Sequence, residues 1–200
     1  MTLFLRRGLL GALAVAALLL AGPASAHHLM GFFHLEPTPL SGLISGMMHP
    51  ILGPDHLLFL LAIGLVGLQR PRAWVVALLA CGLVGAGLGL VVPGVAAVEP
   101  LVALSLVCTG LVLAGKLPAA VLIPSVALHG YALSGSVIGW EPTPIACYLI
   151  GLLISQAALL TLGLTLVQRW GQQLSNSARS TLTGLLIGIG LAFTWTAVIP

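Results

Sequence analysis

Charge is almost missing from this chain: 200 residues carry seven Lys or Arg and four Asp or Glu, together 6% of the total. That scarcity excludes a soluble globule, whose surface needs several times more charge. It also excludes a nucleic-acid platform, because the basic residues are too few and too scattered to track phosphates. Cysteine is sparse as well. Cys81, Cys108 and Cys147 lie in or at the ends of apolar runs without C-x-x-C spacing, which leaves packing as their ordinary role. A P-loop is absent, so transport driven by this chain's own ATPase is excluded. What is abundant is apolar: 59% hydrophobic residues and a mean hydropathy of +1.17 identify an all-α integral membrane protein.

The start of the chain reads as a secretory signal. Arg6 and Arg7 precede the apolar run from Gly8 to Leu20, and Ala24-Ser25-Ala26 supplies the small-residue cleavage site. Residues 1–26 are therefore expected to be removed, leaving His27 first and residues 27–200 as a single transmembrane domain. An uncleaved first helix is the competing reading, but the apolar run is short for a span of roughly 20 residues. After residue 40 the apolar runs divide into six, at about 41–68, 73–92, 98–115, 117–135, 144–167 and 181–199. A six-helix bundle with minimal loops follows, and its function has to sit among the helices. Arg70, Arg72, Lys116, Arg169 and Arg179 all fall after spans 1, 3 and 5, while Glu36, Glu99 and Glu141 fall on the other side. The positive-inside rule then makes the basic loops cytoplasmic and both mature termini external.

"EPTPL", "EPL" and "EPTPI" introduce the three spans that enter from outside. Proline suits a first helical turn and glutamate meets the positive end of the helix dipole, so helix starting explains the repeat. A functional reading of the same residues is a cation-collecting rim made of Glu36, Glu99 and Glu141 with His27, His28 and His34.

The stretch "MMHPILGPDHLLFL", residues 47–60, carries the chemistry. Asp55 lies 14 residues after Ser41 and 13 before Leu68, near the bilayer midplane, with His56 beside it. His129 lies 13 residues beyond Lys116 and 12 before Glu141, and Gln156 12 beyond Pro144, so both belong to the same layer. An ionisable side chain at that depth costs roughly 2.5 to 3.5 kcal/mol on insertion scales and marks an ion or substrate pathway. A structural Asp55–histidine lock between helices is the plainer alternative, as is a satisfied core histidine at His129.

His49 and His56 are seven residues apart, about 10 Å along an unbroken helix, too far for one metal ion with bonds of about 2 Å. Pro50, Gly53 and Pro54 are expected to break the first helix there and fold the chain toward one point, as broken helices do in transporters. Imidazole with one carboxylate suits a first-row divalent cation such as nickel, cobalt, zinc or copper(II) better than sodium, magnesium or calcium. Met47 and Met48 are soft ligands that would suit copper(I), though methionine in a membrane helix ordinarily packs.

"GLISGMMHPILGPDHLLFLLAIGL" resembles the first-helix signature of the HupE/UreJ family of nickel and cobalt permeases, H-P-x-x-G-x-D-H followed by an apolar run. "VVPGVAAVEPLVALSLVCTGLVLAGKLP" is similar to that family's second-to-third helix region, and "ALHGYALSG" to its fourth helix. The resemblance implies secondary uptake of Ni²⁺ or Co²⁺, with His49, Asp55, His56 and His129 contacting the metal. Departures accompany it: Leu133 stands where many members have a second fourth-helix histidine, Ser136 where they have an acid, and Leu160 where a fifth-helix histidine is common.

The expectation is thus a permease with a divalent metal ion as substrate, the lipid bilayer as its surroundings and no permanently bound cofactor. The rival reading is an intramembrane zinc hydrolase using the same four residues, against which stands the absence of H-E-x-x-H; a non-transporting metal sensor or assembly protein is a third. Gly85 with Gly89 and Gly184 with Gly188 form small-x-x-x-small pairs, expected as scaffold or homo-oligomer contacts.

Overall fold

The computed structural model describes residues 36–66, 72–170, 173 and 175–199. The expected signal peptide, His27, His28, His34 and Arg70 lie outside the described residues. Seven α-helices occur among the described residues: α1 Pro39–Leu52, α2 Pro54–Val66, α3 Arg72–Val91, α4 Val98–Leu113, α5 Leu122–Ser134, α6 Pro142–Trp170 and α7 Asn176–Val198. No strand occurs among the described residues.

Helix starts follow the local chemistry of the sequence. Thr38 accepts a hydrogen bond from the Ser41 amide at 3.2 Å while Ser41 Oγ accepts from the Thr38 amide at 2.9 Å, a reciprocal cap that leaves Pro39 in the first turn. Ser175 caps α7 through the Ala178 amide at 3.1 Å. Glu36 and Glu141 stand exposed just before α1 and α6, and Glu99 lies in the first turn of α4. The three repeats thus stand at helix starts, with only Glu99 inside a first turn.

α3, α6 and α7, and the stretch Ala119–Val137 built around α5, are each long and apolar enough to cross a membrane. The chain is a multi-pass membrane protein. α1 and α2 pass the same test only together, bent by 74°, and α4 has just 16 residues, about 24 Å at roughly 1.5 Å per residue.

The break in the first apolar run falls at Gly53 and Pro54, which is a correction to the expectation that Pro50 shares it. α1 continues through Pro50 to Leu52, and Gly53, in an extended conformation, donates back to the His49 carbonyl at 3.1 Å. Pro50 is tolerated because it loses only one donor, the one owed to the Gly46 carbonyl, and Ser155 Oγ of α6 approaches that carbonyl at 3.4 Å. Pro54 likewise has no N–H for the Pro50 carbonyl four residues back, so the ladder cannot continue across Gly53.

Glycine sets the helix pairing. A Cβ at Gly46 would overlap the Tyr148 carbonyl oxygen, and one at Gly151 the Leu43 carbonyl, so α1 and α6 touch backbone to backbone. Gly85 and Gly130 do the same for α3 and α5, and Gly64 meets Gly163 between α2 and α6. α7 packs on α4, with Gly190 against Val107. Close approach of this sort is how helices associate where no hydrophobic force separates protein from lipid. The two pairs noticed in the sequence behave differently: Gly85 and Gly89 face α5, whereas Gly184 and Gly188 face open space. Alanine at Gly184 or Gly188 is accordingly expected to leave the thermal midpoint of the purified protein at or above wild type; a fall of several degrees would show that a neighbour occupies that face.

The main core gathers Phe59 and Leu60 of α2, Leu78 of α3, Leu106 of α4, Leu122 of α5, Leu160 of α6 and Phe193 of α7. A second cluster, Leu133, Val137, Tyr148 and Leu152, joins the end of α5 to α6. Leu133 and Leu160, where the resemblance led one to look for histidine, are both core residues.

Candidate metal pathway

Four of the sequence-selected residues lie deep in the bundle: His49 is 3% exposed, Asp55 2%, His56 1% and His129 3%. His49 is the last-turn residue of α1, Asp55 and His56 open α2, and His129 sits in α5. The bend at Gly53 does bring the first two histidines together. Their ring centroids are 5.9 Å apart, instead of the 10 Å or so of a straight helix. His129 closes on His56 with centroids at 4.9 Å.

Asp55 occupies the first turn of α2, where the helix dipole favours a carboxylate. Its Oδ1 accepts the His56 amide at 2.9 Å. Its Oδ2 is buried and has no hydrogen-bond partner among the described residues. A buried carboxylate oxygen left so is costly unless a cation, a proton or a water molecule meets it. Gln156 is buried at 4% exposure on α6, against Gly82 of α3.

Proton positions around His129 follow from the partners' chemistry. Ser105 Oγ lies 2.6 Å from the Val102 carbonyl oxygen, a separation that needs a proton between the two oxygens, and only the serine can supply it. The contact of Ser105 Oγ with His129 Nε2 at 2.7 Å is then donated by the imidazole. With Nε2 protonated, a neutral His129 has Nδ1 as acceptor, so His56 Nδ1, 2.7 Å away, donates to it. Phe59, one turn along α2 from His56, stacks flat on His129 at 3.8 Å and 4°. Both nitrogens of His129 are thus engaged and its ring is clamped. Among the described residues no three His, Cys, Asp or Glu side chains converge as a ready-made coordination sphere. The residues share one buried layer, with His56 and His129 paired to each other.

Ser105, Phe59, Ser136 and Tyr148 line this layer and were not singled out in the sequence. A signal existed for Tyr148. The chain has two tyrosines, and a hydroxyl within an apolar span has to find a protein partner. The other, Tyr131, accepts from the Val95 amide at 3.0 Å and donates to the Val92 carbonyl at 2.6 Å, pinning the α3–α4 loop. Beside it lies a recess of about 130 Å³ bordered by Gly89, Pro93, Glu99, Tyr131 and Ser134. Cys81, Cys108 and Cys147 are free, half-buried thiols.

A family model described as HupE / UreJ protein matches residues 15–193, nearly the whole chain. The chain belongs to the HupE / UreJ family. No curated protein and no solved structure matches it. HupE / UreJ proteins are associated with nickel and cobalt transport, and the family is one of transporters rather than enzymes. Among the described residues, three histidines and one aspartate are buried beside serines, Thr109 and Gln156.

Proposed function

We propose that this HupE / UreJ protein is a secondary permease that takes up Ni²⁺ or Co²⁺ across the bacterial inner membrane, with His49, Asp55, His56 and His129 as its intramembrane metal contacts. The observation that carries the reading is the buried Asp55 Oδ2 without a partner, next in sequence to His56, whose ring lies near those of His49 and His129 at a helix break. A divalent ion would satisfy that oxygen and exploit the neutral imidazoles around it. On this reading α1 and α2 together form one span and α4 another, making six after a cleaved signal peptide, with the basic loops inside and both termini outside. No cofactor stays bound, because the metal is cargo. The exposed Glu36 and Glu141, the half-buried Glu99 and the N-terminal histidines would concentrate the cation at the outer mouth.

The first step inward is an exchange of hydrogen bonds for metal bonds. The His56–His129 contact has to open for His129 to offer Nδ1 to the ion, and the Phe59 stack holds the ring in place until then. Reclosure of that bond would release the ion, so the pair works as a reversible ligand set.

Time-resolved uptake of radiolabelled Ni²⁺ and Co²⁺ into proteoliposomes, with Zn²⁺ as competitor, is the test. Saturable accumulation above empty liposomes is expected, and competition ranks the ions. Metal retained by the protein with no accumulation would sink the permease and favour the hydrolase or sensor.

A further inference from the structure

His49 is held differently from the other two histidines. Its Nδ1 lies 2.6 Å from Tyr148 Oη, and the two rings meet at 6.2 Å and 62°. Tyr148 Oη is also 2.5 Å from the Leu133 carbonyl oxygen and 3.1 Å from Ser136 Oγ. A phenol has one proton to give. The carbonyl has none, so the short Tyr148–Leu133 contact fixes that proton on the Leu133 side. The contact with His49 must then be donated by the imidazole, and Ser136 donates the third bond. One donation and two acceptances exhaust what a hydroxyl can do.

We infer that Tyr148 is the positioning residue of the metal site: by accepting from His49 Nδ1–H it fixes the tautomer in which Nε2 carries the electron pair. This rests on the reading of His49 as a metal contact. An imidazole can offer a metal only its unprotonated nitrogen, and that choice is made by the hydrogen bond at the other nitrogen. Nδ1 is the nitrogen nearer the backbone, here turned toward α6, so a ring protonated at Nε2 would present its electron pair to Tyr148 rather than to the ion. His56 reaches the same state by another route, through donation of Nδ1–H to His129. The two histidines flanking the Gly53 break are therefore set alike.

The arrangement also explains why α1 and α6 approach so closely. Gly46 lies against the Tyr148 carbonyl, one turn before His49, and that contact places the phenol within hydrogen-bond reach of the ring. Tyr148 is fully buried, so its hydroxyl cannot exchange this bond for one to water.

The test is ¹⁵N solid-state NMR of the full-length, metal-free protein with ¹⁵N-labelled histidine in liposomes, with the His49 signals assigned from His49→Gln. Wild-type His49 is expected to be protonated at Nδ1 and Tyr148→Phe to shift it toward Nε2 protonation. In uptake, Tyr148→Phe should raise KM about 10- to 100-fold with a smaller change in the maximal rate. Nε2 protonation in the wild type overturns the positioning role without touching the permease, and so does a Tyr148→Phe protein with wild-type KM and tautomer. The wild-type spectrum decides the matter even where Tyr148→Phe fails to fold. Undiminished uptake by His49→Gln overturns the permease reading at His49, and the purpose of its tautomer with it.

Discussion

Uptake of Ni²⁺ or Co²⁺ by Asp55→Asn protein is expected to fall at least about 100-fold below wild type, beyond what loss of an outer hydrogen bond costs a metal site, while membrane insertion is retained. Asparagine keeps the shape and the carbonyl oxygen that accepts the His56 amide at 2.9 Å, so the first turn of α2 should survive. What it removes is the buried negative charge and the unpartnered Oδ2, replaced by an amide whose hydrogens repel a cation. Insertion should even become easier, since an ionised side chain at the midplane costs roughly 2.5 to 3.5 kcal/mol. Equal amounts of monodisperse protein in the membrane, with uptake lost, is the expected pair of results. Wild-type uptake by this variant would falsify the site.

Gly46→Ala is expected to lower both the thermal midpoint and the yield of folded protein, and Gly46→Leu to prevent folding. The added Cβ overlaps a backbone carbonyl of α6, which has no rotamer to escape into. Overpacking a well-filled site costs about 1 to 3 kcal/mol even where side chains can adjust. Separation of α1 from α6 would also carry His49 away from Tyr148, so uptake should fall with the folded fraction. Size-exclusion chromatography after a temperature series checks this, with Gly184→Ala as the control whose Cβ meets nothing. A Gly46→Ala protein melting with the control would show that the helices do not meet as closely as described.

Much of the helix order could be read from apolar runs because lipid imposes that pattern directly. Helical spans must bury their own backbone polar groups, and the runs at 73–92 and 144–167 correspond to α3 and α6. The site was legible in its ionisable members for the same reason, since Asp55, His56 and His129 are expensive where they stand. Its hydroxyl partners were not legible. Ser105 and Ser136 cost little where a nearby carbonyl can serve them, and although the Tyr148 hydroxyl had to find some partner, only three-dimensional packing tells which of these groups meets a histidine. Pro50 was misplaced at the break because a proline near a helix end loses only one bond, a loss that the approach of Ser155 to the Gly46 carbonyl softens. Gly42 and Gly46, the pair that seats α1 on α6, went unnoticed beside the more conspicuous Gly184 and Gly188, since spacing alone does not say which face a glycine pair presents.

The shortness of α4 has an electrical consequence. It is a half-buried helix, packed against α2, α5 and α7, and it is about 24 Å long where a hydrocarbon slab is about 30 Å thick. On the proposed six-span reading, water at its two ends, one of them the recess beside Glu99, would narrow the insulating layer around Ser105 and the histidine next to it. The transmembrane voltage would then drop over a shorter distance and the local field would steepen. Each elementary charge crossing 100 mV is worth roughly 2.3 kcal/mol, and a divalent ion feels that force twice over.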